Sequence, residues 1–377
     1  MSEALLEHFH ARRDAIVDEI NEIVSIESPT NDAAASSRIA DLLEKKFREA
    51  AKGASIDRVR AAGVGEHLIV RLGSENAQQP TLILGHTDTV HPKGTADQNP
   101  IRIENGRLYG PGVFDMKGNI PLVLEALRCL DGKNIERPIT VLLSCDEETG
   151  STTGRELVEQ EAAKSYRCFV LEPSAAGKVK TARKGTGVFR LEAKGVPAHA
   201  GLEPERGANA VAELARQVDP IHAIADREAG TTVNVTTFSG GTTTNVIPAF
   251  AECEIDVRFS KPAEGERVES ELRYLAPSDP RVKLELKGQI NRPPLEETEA
   301  VLALYEKARS VAENIGFELG HTQVGGASDG NFVAALGVPV LDGLGIAGDG
   351  AHTLEEYIEI DDIPRRAALL TAMLIGA

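Results

Sequence analysis

Long apolar runs are missing from this chain. Nothing in its 377 residues approaches the ~20 consecutive apolar positions that a membrane-spanning helix needs. The start, Met1-Ser2-Glu3-Ala4-Leu5-Leu6-Glu7, lacks the basic opening and apolar core of a secretory signal. Cysteine is scarce. Cys129, Cys145, Cys168 and Cys253 include no Cys-x-x-Cys spacing, which removes the common zinc-ribbon and dithiol redox motifs. Cys129, Cys145 and Cys168 lie in apolar segments, where a thiol behaves as a small hydrophobe. These absences predict a cytoplasmic protein with no disulfide framework. Basic residues are also short. The 41 Lys and Arg face 58 Asp and Glu, a formal charge of −17. Nucleic acid and anionic membrane surfaces are thereby set aside as partners. No internal repeat or low-complexity segment is visible.

What is present is an alternation of helix and strand patterns. Residues 4–25 carry an apolar stripe at helical spacing, from Leu5 and Phe9 to Ile23 and Val24. Asn31 or Asp32 caps a second helix carrying Ile39, Leu43 and Phe47. Strands are predicted over 67–72, 81–84, 139–143 and 168–171, with helices over 120–130 and 153–163. That order argues for an α/β sheet covered by helices. The texture changes near Lys184. Strands over 187–193, 231–237, 250–259 and 282–286 interleave with helices over 208–225 and 262–275, a βαββαβ order typical of a split βαβ sandwich. This reads as an inserted domain of about 110 residues. The first pattern resumes with a helix over 297–314 and ends with one holding 367–374.

Ligand-type residues gather where strands stop. The run Ile139-Thr140-Val141-Leu142-Leu143 leads to Glu147-Glu148, and Thr81-Leu82-Ile83-Leu84-Gly85 to His86-Thr87-Asp88. Asp115 follows Tyr109-Gly110-Pro111-Gly112-Val113-Phe114, Glu172 follows Cys168-Phe169-Val170-Leu171, and His352 follows Gly348-Asp349-Gly350-Ala351. Carboxyl ends of strands are where open α/β sheets bind ligands. Imidazole with carboxylate suits Zn²⁺ or a similar first-row ion. A bridging carboxylate with two further ligands per metal needs five residues, and a spare carboxylate remains as a general base. If Glu147 and Glu148 are extended, they point to opposite faces and divide these tasks. Asp88 is placed to orient the His86 ring through its other nitrogen.

These motifs, with Asp146-Glu147-Glu148-Thr149-Gly150-Ser151, Glu172-Pro173, His199-Ala200-Gly201 and His352-Thr353, resemble the M20 family of metallopeptidases in their order along nearly the whole chain. Within it the likeness is to the glutamate carboxypeptidases of the carboxypeptidase G2 type. The resemblance implies a Zn-peptidase-like catalytic domain, 1–183 with 292–377, built on a mostly parallel mixed sheet. It implies a ferredoxin-like lid and dimerisation domain over 184–291. It also implies two Zn²⁺, with Co²⁺ or Mn²⁺ as substitutes. Asp115 would bridge them, with His86 and Glu172 on one ion and Glu148 and His352 on the other. Glu147 would be the general base, and the Asp115–Met116 peptide bond cis.

The resemblance further implies a homodimer in which His199 reaches the partner's active site and stabilises the oxyanion. Asn245 and Arg258 match positions that hold a substrate α-carboxylate, for which an arginine fork is suited. Arg292 and Lys178 fall near the positions that hold a glutamate side chain, and Lys180, Arg183 and Lys184 crowd the same stretch. The loop Gly325-Gly326-Ala327-Ser328-Asp329-Gly330 matches one that adds backbone donors to the carboxylate. The expected reaction is hydrolysis of an N-acyl or peptidyl amino acid with a free carboxylate, releasing glutamate. The alternatives are an acetylornithine or succinyl-diaminopimelate deacylase, and a metal- or amino-acid-binding protein without catalysis.

Overall fold

The computed structural model of the chain describes residues 2–73, 78–130, 135 and 137–375. They form two compact units. The first comprises Met1–Ala182, Glu297–Val324 and Ser328–Ala377, and the second Arg183–Glu296 with Gly325–Ala327.

The first unit is built on a six-stranded sheet in the order Ser55–Ala61, Gly65–Leu72, Ile139–Ser144, Thr81–His86, Arg167–Val170 and Val340–Leu341. The last four are mutually parallel, and the first two run antiparallel at one edge. Thr81–His86 and Ile139–Ser144 are buried at every position. A strand covered on both faces reads as a continuous apolar run, which is why these segments were legible without alternation. Ile83 stands opposite Val141 on one side and Phe169 on the other, and these face a core shared with the helices Ser2–Val24, Ala33–Ala50, Ile120–Leu130, Glu299–Ile315 and Ile363–Ile375. Full burial of each such Ile or Phe contributes roughly 1.5–3 kcal/mol. Asp32, rather than Asn31, caps the second helix by accepting from the Ala35 amide at 2.9 Å. No helix among the described residues is long and apolar enough to cross a membrane.

A second, smaller sheet in this unit has no counterpart in the sequence reading. It joins Gly348–Asp349, Tyr357–Glu359, Arg107–Tyr109 and Arg102–Glu104 in that order, all antiparallel. Its strands have two or three residues each, too few to show periodicity. The edge strand Ser55–Ala61 was missed for another reason. Asp57, Arg58 and Arg60 break up its apolar signal, as expected on an exposed sheet edge.

The second unit is a four-stranded antiparallel sheet in the order Thr232–Gly240, Phe250–Phe259, Gly185–Lys194 and Lys283–Arg292. Helices Ala210–Ala223 and Pro262–Arg273 pack on one face through Leu214, Ile221, Val268 and Leu272. Phe250–Phe259 buries alternate residues from Ala251 to Phe259, so one face is core and the other polar.

Candidate metal centre

Three neighbouring parallel strands deliver three of the candidate ligand segments. In their register His86 lies opposite Ser144 and Leu84 opposite Val170. The chain therefore reaches Glu147-Glu148 and Glu172 just beyond the same edge of the sheet. Asp115 and His352 arrive by the smaller sheet. Tyr109 pairs with Tyr357 and Leu108 with Ile358, which brings the loop after Arg107–Tyr109 against the loop before Tyr357–Glu359. The Asp115–Met116 peptide bond is cis.

The side chains meet around Asp115. Its Oδ1 lies 3.1 Å from His86 Nε2, which is also 3.4 Å from Glu172 Oε1. Its Oδ2 lies 3.3 Å from His352 Nε2, which is also 3.3 Å from Glu148 Oε2. One carboxylate thus faces two sets of donors, one through each oxygen. Ligand atoms each about 2.0–2.1 Å from a tetrahedral zinc stand roughly 3.3 Å from one another. The donor set fits a divalent metal on that ground. A second observation agrees: the buried Glu148 Oε1 has no hydrogen-bond partner. Such an atom is costly unless something else satisfies it.

The electrostatics point the same way. Burial opposes a charge on His86, yet Asp115, Asp88 and Glu172 raise its pKa well above the ordinary imidazole value. Asp115 and Glu148 push His352 up to about 10. Burial opposes ionisation of Asp115, but hydrogen bonds from His352 and His86 hold its carboxyl below the usual range. Burial raises Glu148. Protons on the two imidazoles occupy the electrostatic niche of a cation, so a metal must displace them to bind.

Glu147 and Glu148 are not extended. Residues Glu147–Thr149 form a 3-10 turn closed by Gly150 at φ 92. Adjacent side chains there diverge by about 120° rather than pointing to opposite faces. The cause lies in the neighbouring carboxylates. Asp88 accepts the Glu147 amide on Oδ1 at 3.2 Å and the Glu148 amide on Oδ2 at 3.1 Å. Asp146 Oδ2 accepts from Thr153, and Asp329 accepts from the hydroxyls of Ser144 and Ser151. Asp88 serves His86 mainly through its backbone. His86 Nδ1 hydrogen-bonds the Asp88 carbonyl at 2.9 Å, while the carboxylate oxygen stands at 3.4 Å. Thr30 Oγ1 fixes that carboxylate at 2.8 Å. Lys178 is exposed beside Gly320, whereas Lys180, on the strand Val179–Arg183, is buried.

Within the second unit, His199 and Asn245 are brought together by a two-stranded pairing, Ala198 to Ile247 and His199 to Val246. The Asn245 carbonyl accepts from the Ala200 amide at 2.9 Å. The exposed His199 ring accepts the amides of Gly201 and Leu202 on Nδ1, each at 3.1 Å. A neutral ring so engaged carries its proton on Nε2, which is then a donor. Arg258 is held by Asp256 on the same strand, with Nη2 to Oδ2 at 2.8 Å. Arg292 is buried, with Nη1 3.5 Å from Asn291 Oδ1. Arg183 Nη1 donates to the carbonyls of Gly326 and Ala327 at 3.3 and 3.2 Å, which fixes the start of the glycine loop.

The sequence reading missed Glu356 and His91. Glu355-Glu356 looks like a solvated acidic pair, but Glu356 is fully buried beside the Asp115 loop. Only its neighbour Tyr357, in a strand too short to recognise, would have hinted at this.

Comparison with known proteins agrees with the geometry. The family described as Peptidase family M20/M25/M40 matches residues 82–375. The chain is 29% identical over 371 residues to carboxypeptidase G2 of a Pseudomonas species, covering 96% of this chain and 89% of that protein. It is 31% identical over 364 residues to succinyl-diaminopimelate desuccinylase of Cereibacter sphaeroides, covering 89% and 92%. Among solved structures, aminopeptidase PepT from Bacillus cereus superposes with a TM-score of 0.74 at 24% identity, covering 96% of this chain and 98% of that one. The M20 family metallo-carboxypeptidase Sso-CP2 from Sulfolobus solfataricus gives 0.72 at 18%, covering 95% and 98%. These two share the fold. With the family's span running from the strand before His86 to the last helix, this chain belongs to peptidase family M20/M25/M40 and is a metal-dependent hydrolase.

Proposed function

We propose that this hydrolase cleaves the amide bond of N-acyl or peptidyl amino acids bearing a free α-carboxylate, and that the residue released is glutamate. The observation that carries the reaction is Asp115, whose two oxygens face His86 and His352, each histidine in turn beside a further carboxylate, with Glu147 on the adjoining turn. Asp115 is proposed as the shared ligand of two divalent ions, zinc foremost, with Co²⁺ or Mn²⁺ as substitutes. His86 and Glu172 complete one set, and Glu148 and His352 the other. Ions bound there would lower the pKa of water and polarise the scissile carbonyl.

Glu147 takes the proton from the attacking water and returns it to the leaving amine. Asp88 keeps Glu147 in place through its amide and keeps the His86 ring oriented through a carbonyl. His199 of a second copy donates from Nε2 to the developing oxyanion. Asn245 and Arg258 receive the α-carboxylate, for which Arg258 turns from Asp256, and Arg292 and Lys178 receive the glutamate side chain. The second unit then serves as lid and dimer contact, and four free cysteines suit a reducing cytoplasm.

Likeness to carboxypeptidase G2 across nearly the full chain supports glutamate. Likeness to the desuccinylase supports a second reading, N-succinyl-diaminopimelate. Hydrolysis rates of zinc-loaded protein on N-acyl glutamates, N-acetylornithine and N-succinyl-diaminopimelate decide between them. The glutamate reading fails if its conjugates rank below either rival. The mechanism fails if Glu147→Gln retains full activity.

A further inference from the structure

Glu356 is a buried carboxylate of the first unit that is engaged on both oxygens. Its Oε1 accepts the amides of Phe114 at 2.8 Å and Asp115 at 2.7 Å. Its Oε2 accepts the amide of Gly112 at 2.9 Å and meets His91 Nε2 at 2.8 Å. The side chain is wholly shielded from water. With two donors on each oxygen, no position is left for a metal or substrate. Glu356 therefore acts on its surroundings and not on a ligand.

The chain is shaped to present those amides. Gly112 has φ 72, and a Cβ there would lie 2.5 Å from Thr89 Cγ2. Only glycine lets the Gly110–Asp115 loop curl its N–H groups around one carboxylate. The other end of the contact is equally anchored. Gly110 donates to the Glu356 carbonyl at 3.4 Å, Asn99 Nδ2 donates to the Leu354 carbonyl at 2.6 Å, and Thr353 Oγ1 donates to the Gly350 carbonyl at 2.7 Å. One buried side chain thus ties the loop carrying Asp115 to the loop carrying His352, whose side chains meet at 3.3 Å.

We infer that Glu356, seated by His91, is a positioning residue that sets the orientation of the Asp115 carboxylate relative to His352. This rests on the reading of Asp115 as the shared metal ligand. Replacing Glu356 by Gln leaves one acceptor oxygen and turns an NH₂ toward backbone donors. One pair of donors then loses its partner, and the Asp115 loop relaxes.

The test is Co²⁺ titration of metal-free protein, followed by absorption and by competition with a chelator. The thermal midpoint of the metal-free form, kcat and KM are measured on the same samples. Glu356→Gln is expected to weaken metal binding about 10–100-fold, alter the cobalt spectrum and lower kcat with KM held. The metal-free midpoint falls, because buried amides lose an acceptor, but by less than the lost metal binding corresponds to. His91→Ala shows the same changes to a smaller degree, and His91→Gln, which restores a donor, reverses them. Unchanged cobalt affinity and spectrum in folded Glu356→Gln would overturn the inference. So would a fall in the metal-free midpoint that accounts for all the lost binding. Should Glu356→Gln not fold, unchanged cobalt binding in His91→Ala overturns it equally. Asp115→Asn separates the two levels. If that variant binds cobalt normally, the shared-ligand reading itself is wrong. If it loses cobalt while Glu356→Gln does not, only the positioning role falls.

Discussion

The two units treat charge in opposite ways. In the first, His86, Asp115, Glu148 and Glu172 converge beyond the carboxyl ends of the parallel strands, where burial opposes the charges of His86 and Asp115 while their neighbours favour them. In the second, two candidate residues are satisfied locally: His199 by its own loop amides, Arg258 by Asp256 two residues away. Convergent buried charge in one place needs an external counter-ion. A locally satisfied charge needs nothing until a ligand competes for it.

The widest separation between the units should appear in turnover. Glu147→Gln is expected to lower kcat by about 10³-fold while metal content, read by atomic absorption, stays at the parent value. Activity retained in that variant would remove the base from the first unit. His199→Ala should lower kcat by about 10²–10³-fold. Mixing it with Glu147→Gln should restore activity through mixed dimers, and failure of mixing to do so denies the exchange between copies. Arg258→Ala should raise KM roughly 10–100-fold, as expected for loss of a charged hydrogen bond of about 1.5–3 kcal/mol, with kcat little changed. A kcat effect of equal size would make the second unit as catalytic as the first. The smallest step, taken per unit of pH, concerns metal affinity. With His352 raised to about 10 in the metal-free protein, its proton is present at neutral pH and must leave when metal binds. Affinity for Zn²⁺ should therefore rise with pH, about tenfold per unit for each proton displaced, as chelator competition between pH 6 and 8 would show. A flat profile would mean the imidazoles are already neutral.

Much of this was legible in the sequence. The strands ending at His86 and Ser144 are long, apolar and followed at once by their polar residues, so both element and site could be read together. The βαββαβ order of the inserted stretch was visible because residues 187–193 alternate as a strand and the segments after them switch between strand and helix patterns. What stayed hidden depended on pairing across the chain. The small sheet uses strands of two or three residues, and without it nothing in the sequence brings Tyr357 to Tyr109. Glu356 and His91 were missed for the same reason. The 3-10 geometry at Glu147–Thr149 stayed open because Asp88, far away in sequence, supplies the acceptors that fold it.

That small sheet also sets a timetable for synthesis. His86, Asp115 and Glu172 all precede the inserted unit, whereas His352 follows it. A nascent chain therefore carries one proposed ligand set early, and the other waits until the hairpin of Gly348–Asp349 and Tyr357–Glu359 has left the ribosome and paired with Arg107–Tyr109. The last of the proposed ligands thus joins only after the inserted unit has been made.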